Sequence, residues 1–450
     1  MTEPLSEDLL EQLSRCLDAE MGLHFPPPRW ADLQRGIEAA ATELGFETPT
    51  ECADWLLSAR LTKPQLALLA AHLTIGETYF FRDPAVFDFL GTHVLPELIR
   101  TRRTTGKQLR IWSAGCCTGE EPYSLAITLS RLLPDISEWL ITILATDLNP
   151  RFLKKAAEGR YGTWSFRGAS DSLRKQYFHE APDGASEIAL PIRKMVSFST
   201  LNFAEDAYPS LLTDTNAMDV IFCRNVLMYF SHAQAAKVAA RLHACLVDGG
   251  WLFTSATEVS KDIFPQFEMV RHPGVLAFRK HAEAPVRVPA SSPPGRLAPA
   301  RRTASEPAVG GDAPVEKITP AASLSLARRL ANEGRLAEAL AQCERAITAD
   351  KLVAAGHYLR GVILQEKGAF TEAREALRRA LFIDQDFIVA HFALGNLLRH
   401  QGRRTEADRS FDNARELLER CVPDAELPES DGVTAGRLLA MLESIQDVRA

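Results

Sequence analysis

The chain has 450 residues, which is too long for a single ordinary domain and indicates two or three. Hydrophobic residues make up 46% and charged residues 24%, the balance of a soluble globular protein, and no apolar run approaches the roughly 20 residues that cross a bilayer. The net charge of −7, without a long basic tract, argues against nucleic acid as the main partner.

The N-terminal sequence MTEPLSEDLLEQL is acidic and amphipathic, which is not the pattern of a signal peptide. The eight cysteines are scattered, and only Cys116 and Cys117 are neighbours. Adjacent cysteines rarely bridge, and no CxxC motif or Cys/His cluster indicates zinc. We therefore expect reduced thiols, no metal site and a cytoplasmic protein without direct membrane insertion.

The first 75 residues show the hydrophobic period of helices. One stripe is formed by Leu5, Leu9, Leu10 and Leu13, and another by Leu66, Leu69, Ala70 and Leu73. We predict an N-terminal helical domain over residues 1–75.

From Leu109 onward the pattern changes to alternating strands and helices. Strands are predicted at Leu109–Ser113, Leu140–Thr146, Ala217–Cys223 and Trp251–Thr254, and helices at Glu121–Leu133, Pro150–Glu158 and Gln234–Leu246. This alternation predicts a doubly wound, mainly parallel sheet over residues 76–282, here called the sheet domain. Within it, residues of about 160–200, including strand and turn signals at Lys194–Asn202, are interpreted as a small β-subdomain.

A change of composition separates the sheet domain from the rest of the chain. Residues Pro285–Pro314 are rich in Pro, Ala, Ser and Gly and lack large aromatic side chains, so they bury too little apolar surface to offset their ordering entropy. We predict a flexible linker over residues 283–318. A flexible chain of about 30 residues spans roughly 30 Å, so the two flanking parts are expected to move independently.

The remaining residues, 319–450, repeat with a period of 34. The positions in phase are Gly334, Gly368 and Gly402; Ala339, Ala373 and Ala407; Ala346, Ala380 and Ala414; and Gly361 and Gly395. Small residues at this period are typical of tetratricopeptide (TPR) repeats, in which paired helices approach closely. We predict three repeats closed by an amphipathic capping helix at Gly436–Ile445, together called the TPR block.

Two features of the repeats depart from the usual TPR pattern. His357 and His391 stand where a large aromatic residue is usual, and Lys351 and Gln385 replace the usual closing proline.

The segment Ile111–Leu129 runs from a strand through a small-residue loop into a helix, where α/β folds bind nucleotides. Its loop lacks both GxGxxG and the Walker Lys-Ser/Thr, so neither a pyrophosphate nor a triphosphate is expected. Glu121 follows the turn, either as a ligand contact or as simple capping of the helix dipole. The next strand ends in Asp147, which is placed to bind ribose hydroxyls. Together these acids suit a cationic nucleoside without phosphate, such as S-adenosylmethionine.

Two further motifs carry arginines next to apolar runs. Arg82 ends the run TYFFR, and an arginine there is costly to bury unless it pairs with an anion. Arg224, Asn225 and Tyr229 follow a buried strand in IFCRNVLMYF, where polar residues face the ligand crevice. An ordinary surface ion pair is the alternative interpretation of Arg224.

These motifs, TYFFR, WSAGCCTGEEPYSLA, the strand end ATD and IFCRNVLMYF, resemble the CheR-type chemotaxis receptor methyltransferases in the same order over residues 70–280. The resemblance implies an N-terminal helical domain, a Rossmann-like class I methyltransferase domain and a small antiparallel β-subdomain. It also implies methyl transfer from S-adenosyl-L-methionine to glutamates on the cytoplasmic helices of methyl-accepting chemoreceptors, with S-adenosyl-L-homocysteine as the product. With the TPR solenoid, the expected fold is α/β followed by an all-α repeat.

Carried over by position, the resemblance implies a set of site residues. The cofactor contacts are Thr78, Arg82, Glu121, Asp147, Asn202, Phe203, Arg224 and Asn225, and the catalytic residues are Arg82, Arg224 and Tyr229. Gly76 stands where some relatives have a contacting asparagine, which leaves that contact in doubt.

The chemistry of the acceptor explains the absence of a predicted catalytic base. A glutamate carboxylate is already ionised at neutral pH, so esterification depends mainly on positioning. The alternative functions are methylation of a small molecule or RNA, and a catalytically dead scaffold that binds receptors. In either case the TPR groove is expected to take a peptide or protein partner, although packing onto the catalytic domain or self-association is also open.

Overall fold

The computed structural model describes residues 4–281, apart from 259 and 261, together with residues 319–447. The predicted linker, residues 283–318, lies outside the described residues. Within the described ranges, no helix combines the length and the apolar character that crossing a bilayer requires.

The N-terminal part of the chain is helical. Its α-helices are α1 (Glu7–Met21), α2 (Trp30–Leu44), α3 (Pro49–Ser58) and α4 (Lys63–Leu73). Helix α1 begins where the Ser6 side chain accepts a hydrogen bond from the Leu9 N–H at 3.3 Å, and it ends at Gly22, whose φ of 72° few other residues adopt. Of the predicted stripe, Leu5, Leu10 and Leu13 are buried and Leu9 is partly buried, and Leu17 extends the buried face of α1.

The sheet domain alternates helices with strands. Its helices are α5 (Pro84–Phe89), α6 (Leu95–Thr105), α7 (Glu120–Leu132), α8 (Pro150–Glu158), α9 (Asp171–Tyr177), α10 (Leu190–Arg193) and α11 (His232–Cys245). Its strands are β1 (Gln108–Ala114), β2 (Leu140–Asp147), β3 (Arg160–Tyr161), β4 (Phe178–Glu180), β5 (Ser186–Ile188), β6 (Val196–Thr200), β7 (Met218–Phe222), β8 (Leu246–Phe253), β9 (Phe267–His272) and β10 (Val275–Lys280).

Seven strands form one sheet in the order β6–β2–β1–β7–β8–β10–β9. Strands β6, β2, β1, β7 and β8 are parallel, whereas β10 and β9 close the sheet as an antiparallel pair. Strand β1 lies between β2 and β7, so the direction of winding reverses there and a crevice opens beyond the strands' carboxyl ends. The predicted Rossmann-like fold class is confirmed.

The small antiparallel sheet is shorter than the predicted β-subdomain of residues 160–200. Its strands pair in the order β3–β5–β4 and lie within residues 160–188. Strand β6 instead joins the main sheet, where Val196 lies opposite Ile143 of β2. A hydrophobic pattern indicates a strand but not the sheet that the strand joins. The small subdomain therefore ends before β6, earlier than the sequence predicts.

The end of the sheet also differs from the prediction. Strand β8 begins at Leu246, although the sequence predicts a strand from Trp251. Gly249 and Gly250 suggest a turn, but Gly249 takes a φ of 76° inside the strand and the pairing with β7 shifts register nearby. Such a glycine is typical of a β-bulge. The hairpin β9–β10 was not predicted.

The TPR block consists of paired helices. They are α12 (Pro320–Asn332), α13 (Leu336–Ala349), α14 (Ala354–Glu366), α15 (Phe370–Ile383), α16 (Ile388–His400), α17 (Arg404–Leu418) and the final α18 (Ala435–Asp447). A Cβ at Gly361 would lie 2.7 Å from Leu377 Cγ, and one at Gly395 would lie 2.4 Å from Phe411 Cε1. The periodic glycines are therefore needed where the two helices of a repeat touch.

In each of two repeats, a hydrogen bond joins the two positions that depart from the TPR pattern. The His357 Nε2 donates to the backbone oxygen of Lys351 at 3.2 Å, and the His391 Nε2 donates to that of Gln385 at 2.9 Å. In both repeats the histidine that replaces the aromatic residue thus fastens the residue that replaces the proline.

The TPR block lies against the edge of the sheet at which the parallel strands begin. A Cβ at Gly334 would lie 3.0 Å from Val247 and one at Gly368 would lie 3.9 Å from Leu140. The Ala217 N–H donates to the backbone oxygen of Asn332 at 3.1 Å. The two parts are therefore packed together here, contrary to the expectation of independent movement.

A buried carboxylate lies at this boundary. Glu366 is 7% exposed and accepts a hydrogen bond from Asn216 Nδ2 at 2.9 Å. Burial raises the pKa of Glu366 to about 7; the nearby Asp214 adds to the rise and the Arg110 guanidinium opposes it. Glu366 is thus protonated in the folded chain at pH values where an exposed glutamate is ionised.

We expect Glu366→Gln to flatten the dependence of stability on pH between about 4.5 and about 7. In this window the folded protein keeps a proton that the unfolded chain has released, so the free energy of unfolding of the native protein falls as pH rises. Arg102 and Asp219 line a small cavity together with Glu366. They pair with each other, so the substitution of Glu366 leaves their ion pair in place. Denaturant unfolding at several pH values tests this, with the exposed Glu372→Gln as control. Equal pH slopes for native and Glu366→Gln proteins would contradict it.

Candidate functional site

A cleft of about 970 Å³, counting its open mouth, lies beyond the carboxyl ends of β1, β2 and β7. The loops that follow these strands form its floor, and the end of α1 and the segment 73–82 form its wall.

Eight of the nine predicted site residues line this one cleft. They are Thr78, Arg82, Glu121, Asp147, Phe203, Arg224, Asn225 and Tyr229. The ninth, Asn202, is buried beside the cleft, where its Nδ2 donates to the Glu20 oxygen at 2.7 Å and its Oδ1 accepts from the Ala204 N–H at 3.0 Å. In this structure Asn202 holds the end of α1 in place of lining the cleft.

The loop between β1 and α7 approaches the cleft with its backbone. Gly115 has a φ of 89°, and a Cβ there would lie 2.3 Å from Val226 Cγ2. The Cys117 N–H donates to Asp147 Oδ2 at 2.8 Å, which ties this loop to the end of β2. Burial raises the pKa of the Cys117 thiol to about 12, so Cys117 is not a thiolate nucleophile at neutral pH.

We expect Gly115→Ala to destabilise the sheet domain and to weaken ligand binding. The left-handed backbone costs an alanine roughly 1 kcal/mol, and the contact with Val226 adds about 1–3 kcal/mol of overpacking. Gly45→Ala is the matched control, because Gly45 has a φ of 79° and nothing within 4 Å of an added Cβ. The thermal midpoints of the two variants test the prediction, and equal losses would contradict it.

Arg224 is the most buried cation of the cleft, with a side chain only 2% exposed. Its guanidinium pairs with Asp83, donates to the Arg82 backbone oxygen at 3.1 Å and lies 3.3 Å from Glu121 Oε2. Its Nε is buried and has no hydrogen-bond partner among the described residues. An unpaired buried donor is costly, which makes it a candidate contact for a bound anion.

Two buried carboxylates complement this cation. Glu121 accepts from Ser113 Oγ at 2.7 Å, and burial raises its pKa while Arg224 opposes the rise. Asp147 is 9% exposed, and its oxygens are held by the N–H groups of Cys117 and Asn149. Burial raises the pKa of Asp147 as well. A cationic ligand would stabilise both carboxylates in their charged forms.

Tyr229 and Arg82 lie on the side of the cleft formed with the N-terminal helices. The Arg29 guanidinium lies 5.3 Å from the centre of the Tyr229 ring, and the backbone oxygen of Tyr229 accepts from the His24 N–H at 2.8 Å. Burial raises the pKa of Tyr229, with Arg29 and Arg82 opposing, so its hydroxyl is a hydrogen-bond donor at neutral pH. Arg82 donates to the Glu77 backbone oxygen at 2.7 Å and keeps its side chain partly exposed.

Comparison with known proteins identifies the family. Residues 76–274 match the family described as "CheR methyltransferase, SAM binding domain", and residues 354–387 match a tetratricopeptide repeat. Chemotaxis protein methyltransferase 1 of Pseudomonas aeruginosa is 37% identical over 209 residues, which are 45% of this chain and 74% of that protein. The chemotaxis protein methyltransferase of Vibrio parahaemolyticus is 29% identical over 281 residues, 60% of this chain and 97% of that protein. The chain belongs to the chemotaxis protein methyltransferase family.

Solved structures resemble parts of the chain. MamA is 24% identical, with a TM-score of 0.23, over 24% of this chain and 62% of its own. The translocator chaperone SycD of Yersinia enterocolitica is 20% identical, with a TM-score of 0.26, over 30% of this chain and 98% of its own.

The chain is thus an S-adenosylmethionine-dependent protein methyltransferase with C-terminal TPR repeats. The residues present fit the cofactor: two buried carboxylates suit its cationic centre, and Arg224, with its unpaired Nε, suits its carboxylate.

A phenylalanine of this methyltransferase accounts for the unusual Gly76. A Cβ at Gly76 would lie 2.7 Å from Phe152 Cζ and 3.5 Å from Cys117 Sγ. Phe152 also lines the cleft, so it fills space that an asparagine at position 76 would need. The ring of Phe152 therefore occupies the space that a side chain at position 76 would need.

The sequence analysis missed Glu258, the carboxylate that shapes the loop after β7. Its Oε1 accepts from the N–H groups of Val226 at 2.6 Å and Met228 at 3.3 Å, and its Oε2 accepts from the Asn225 N–H at 2.9 Å. The N–H of Ser255 and its hydroxyl also donate to Oε2, at 2.9 and 2.6 Å. The pattern Ser255-x-x-Glu258 has the form of a capping box and was the available signal.

Four residues around the cleft have a left-handed backbone. Phe81, Asp83, Cys117 and Asn225 all have φ between 49° and 61°, where side chains other than glycine are rarely found. Such residues persist only where the surroundings hold them, and they are common at ligand sites. Here the contacts of Asp83 with Arg224 and of Asn225 with Glu258 supply that restraint.

Proposed function

We propose that this methyltransferase transfers a methyl group from S-adenosylmethionine to glutamate carboxylates of chemoreceptor-like signalling proteins in the cytoplasm, forming glutamate methyl esters. The observation that carries the proposal is the convergence of Arg82, Arg224 and Tyr229 on a cleft that also holds Glu121 and Asp147.

The cofactor contacts follow from the charges around the cleft. We assign the cofactor's carboxylate to Arg224, its ribose to Asp147 and its cationic part to Glu121, with Thr78, Phe203 and Asn225 completing the wall. Asn202 supports this wall through its contact with the end of α1. When bound, the sulfonium supplies a methyl group that is already activated for transfer.

The remaining task of the protein is to hold a carboxylate in line with that methyl group. A glutamate side chain is ionised at neutral pH, so no general base is needed. Arg82, which is partly exposed at the cleft, would bind the acceptor carboxylate by charge-assisted hydrogen bonds. The protonated hydroxyl of Tyr229 would donate to the same carboxylate and orient it.

Base lability of the product tests the proposed acceptor. Purified protein is incubated with donor labelled in the methyl group and with cytoplasmic fragments of candidate chemoreceptors. Methyl esters release labelled methanol in mild base, whereas methylated amines do not. Label that is stable to base, or that enters RNA or a small molecule, would contradict the proposal.

A catalytically weak or dead scaffold is the alternative. The intact set of charged residues in the cleft favours the enzyme, because a scaffold has no need of Arg82, Glu121 and Arg224 together. Calorimetric titration with S-adenosylhomocysteine separates the two functions, since a dead scaffold would give no heat of binding.

The proposed partners are proteins. The acceptors are the cytoplasmic helices of methyl-accepting chemoreceptors, and the TPR block is proposed to take a further peptide or protein partner, whereas no nucleic acid is expected. Within the described structure, however, segments of the same chain already lie against the TPR helices, so an incoming peptide would have to displace them.

A further inference from the structure

Three equivalent positions of the TPR repeats lie at one loop of the sheet domain, residues 208–217, here called the docking loop, and two of them form hydrogen bonds with it. The positions are Asn332, Glu366 and His400, which are 34 residues apart at the ends of α12, α14 and α16. The Asn332 oxygen accepts from the Ala217 N–H at 3.1 Å, and Glu366 accepts from the Asn216 side chain at 2.9 Å. Burial raises the pKa of Asp214, and Arg110 and, at the third position, His400 oppose that rise.

The same loop places two leucines in the core of the TPR block. Leu211 and Leu212 are 5% and 8% exposed and belong to one hydrophobic cluster with the repeat helices. Ser210 donates to Asp431, which also lies 3.0 Å from Arg328 of α12. Apolar burial and charge pairing thus fix the middle of the docking loop on the repeats.

The segment that leads into the docking loop lines the cofactor cleft. Phe203 is part of the cleft wall, and its backbone oxygen accepts from the Tyr208 hydroxyl at 3.1 Å and from Arg241 at 3.2 Å. Two residues further on, Glu205 pairs with Arg437 of α18 at 2.7 Å. Arg437 is 8% exposed, whereas the Glu205 side chain is 41% exposed, so only the arginine end of this pair is buried.

The TPR block therefore holds both ends of the segment 205–217. Phe203, two residues before this segment, lies in the wall of the cleft. The block lies at the edge where the strands begin, and the cleft lies at the opposite edge. Docking consequently leaves the mouth of the cleft open and reaches its wall through this segment. The block also touches the start of α4, where Lys63 Nζ donates to Thr434 Oγ1 at 3.2 Å.

We propose that the docked TPR block is a positioning element for the cofactor site, with Arg437 and the docking loop fixing the segment that places Phe203 in the cleft. This inference rests on the proposed function, because it is measured by cofactor binding at the proposed contacts. Loss of docking frees residues 203–217 and weakens cofactor binding, whereas the chemical step at saturating cofactor is unchanged.

The first test asks whether docking persists without the covalent link. A protease site is inserted between residues 285 and 314 of the full chain, the protein is cleaved, and the pieces are analysed by gel filtration at low micromolar concentration. We expect the native pieces to elute together and those of a Leu211→Asp, Leu212→Asp variant to separate. Leu352→Asp is the matched control, because Leu352 is 74% exposed on the TPR block. Separation of the native pieces would overturn the proposal.

The second test measures the coupling on uncleaved protein. Arg437→Gln and the double leucine variant are expected to weaken S-adenosylhomocysteine binding on the order of tenfold, within the range usual for coupled sites. The KM for S-adenosylmethionine rises correspondingly and kcat is retained. The control is Arg420→Gln, whose side chain is 65% exposed in a surface pair with Glu416. The exchange Glu205→Arg with Arg437→Glu tests the pair itself and is expected to restore affinity.

The outcomes separate this inference from the proposed function. If native protein does not bind S-adenosylhomocysteine, the cofactor assignment fails, and the cleavage test still decides docking. If native protein binds it and the undocked variants bind equally well or more tightly, the positioning role is overturned. If the double leucine variant does not fold, the Arg437→Gln result decides.

Discussion

Arg82→Ala is expected to lower methyl-ester formation by about one to two orders of magnitude without unfolding the sheet domain. The Arg82 side chain is partly exposed; it donates to the Glu77 backbone oxygen, and its guanidinium lies 6.0 Å from the centre of the Tyr79 ring. Its loss therefore removes little packing. Charge-assisted hydrogen bonds to an acceptor carboxylate are worth about 1.5–3 kcal/mol, and each 1.4 kcal/mol is a factor of ten in rate.

The measurement is the rate of base-labile label transfer at saturating cofactor, together with the thermal midpoint. Arg151→Ala is a suitable control, because Arg151 is 54% exposed and pairs with Glu43 on the surface. A folded Arg82→Ala protein with near-native transfer would show that Arg82 does not bind the acceptor.

Glu258→Gln is expected to damage both stability and activity. The Glu258 carboxylate accepts hydrogen bonds from the N–H groups of Asn225, Val226, Met228 and Ser255. In glutamine an NH2 group replaces one of these oxygens, and because it is itself a donor it cannot accept from them. Each donor left without an acceptor costs about 1–3 kcal/mol, so a total of about 3–5 kcal/mol is expected.

The effect on activity follows from the residues on this loop. Arg224 and Tyr229 lie at its two ends, and a displacement of about 1 Å is enough to lower a rate by about 100-fold. Denaturant unfolding and methyl transfer below the unfolding transition provide the two measurements. Glu268→Gln, an exposed glutamate of β9, is the matched control. If Glu258→Gln matches the Glu268→Gln control in both stability and methyl transfer, Glu258 does not position the loop after β7.

The sequence was most informative where ligand chemistry constrains side chains directly. The acids Glu121 and Asp147 and the basic residues Arg82 and Arg224 follow strands or aromatic runs, where a charged group is costly unless it has a purpose. The structure brings all four into one cleft. The 34-residue period was equally informative, because helix contacts require a small residue at the same step in every repeat.

Contacts between residues far apart in the chain could not be predicted from the sequence in this way. Nothing local to Leu211 or Arg437 shows that they meet partners more than a hundred residues away, and the composition of the intervening linker suggested independent parts. Phe152 explains Gly76 only once α8 is placed against the cleft. Asn202 was assigned to the cleft wall from its position, yet its side chain turns toward α1.

The match between the repeats and the docking loop limits how this array could change. Tandem repeats commonly gain or lose whole units by duplication or deletion, because each unit contacts only its neighbours. Here the Asn332 backbone oxygen and the Glu366 side chain bind different residues of a single loop. Deleting one unit of 34 residues would preserve the solenoid but would bring different residues to these two places on the loop. The number of repeats is therefore set by the enzyme domain, and an exchange of repeats with another protein would have to include the loop.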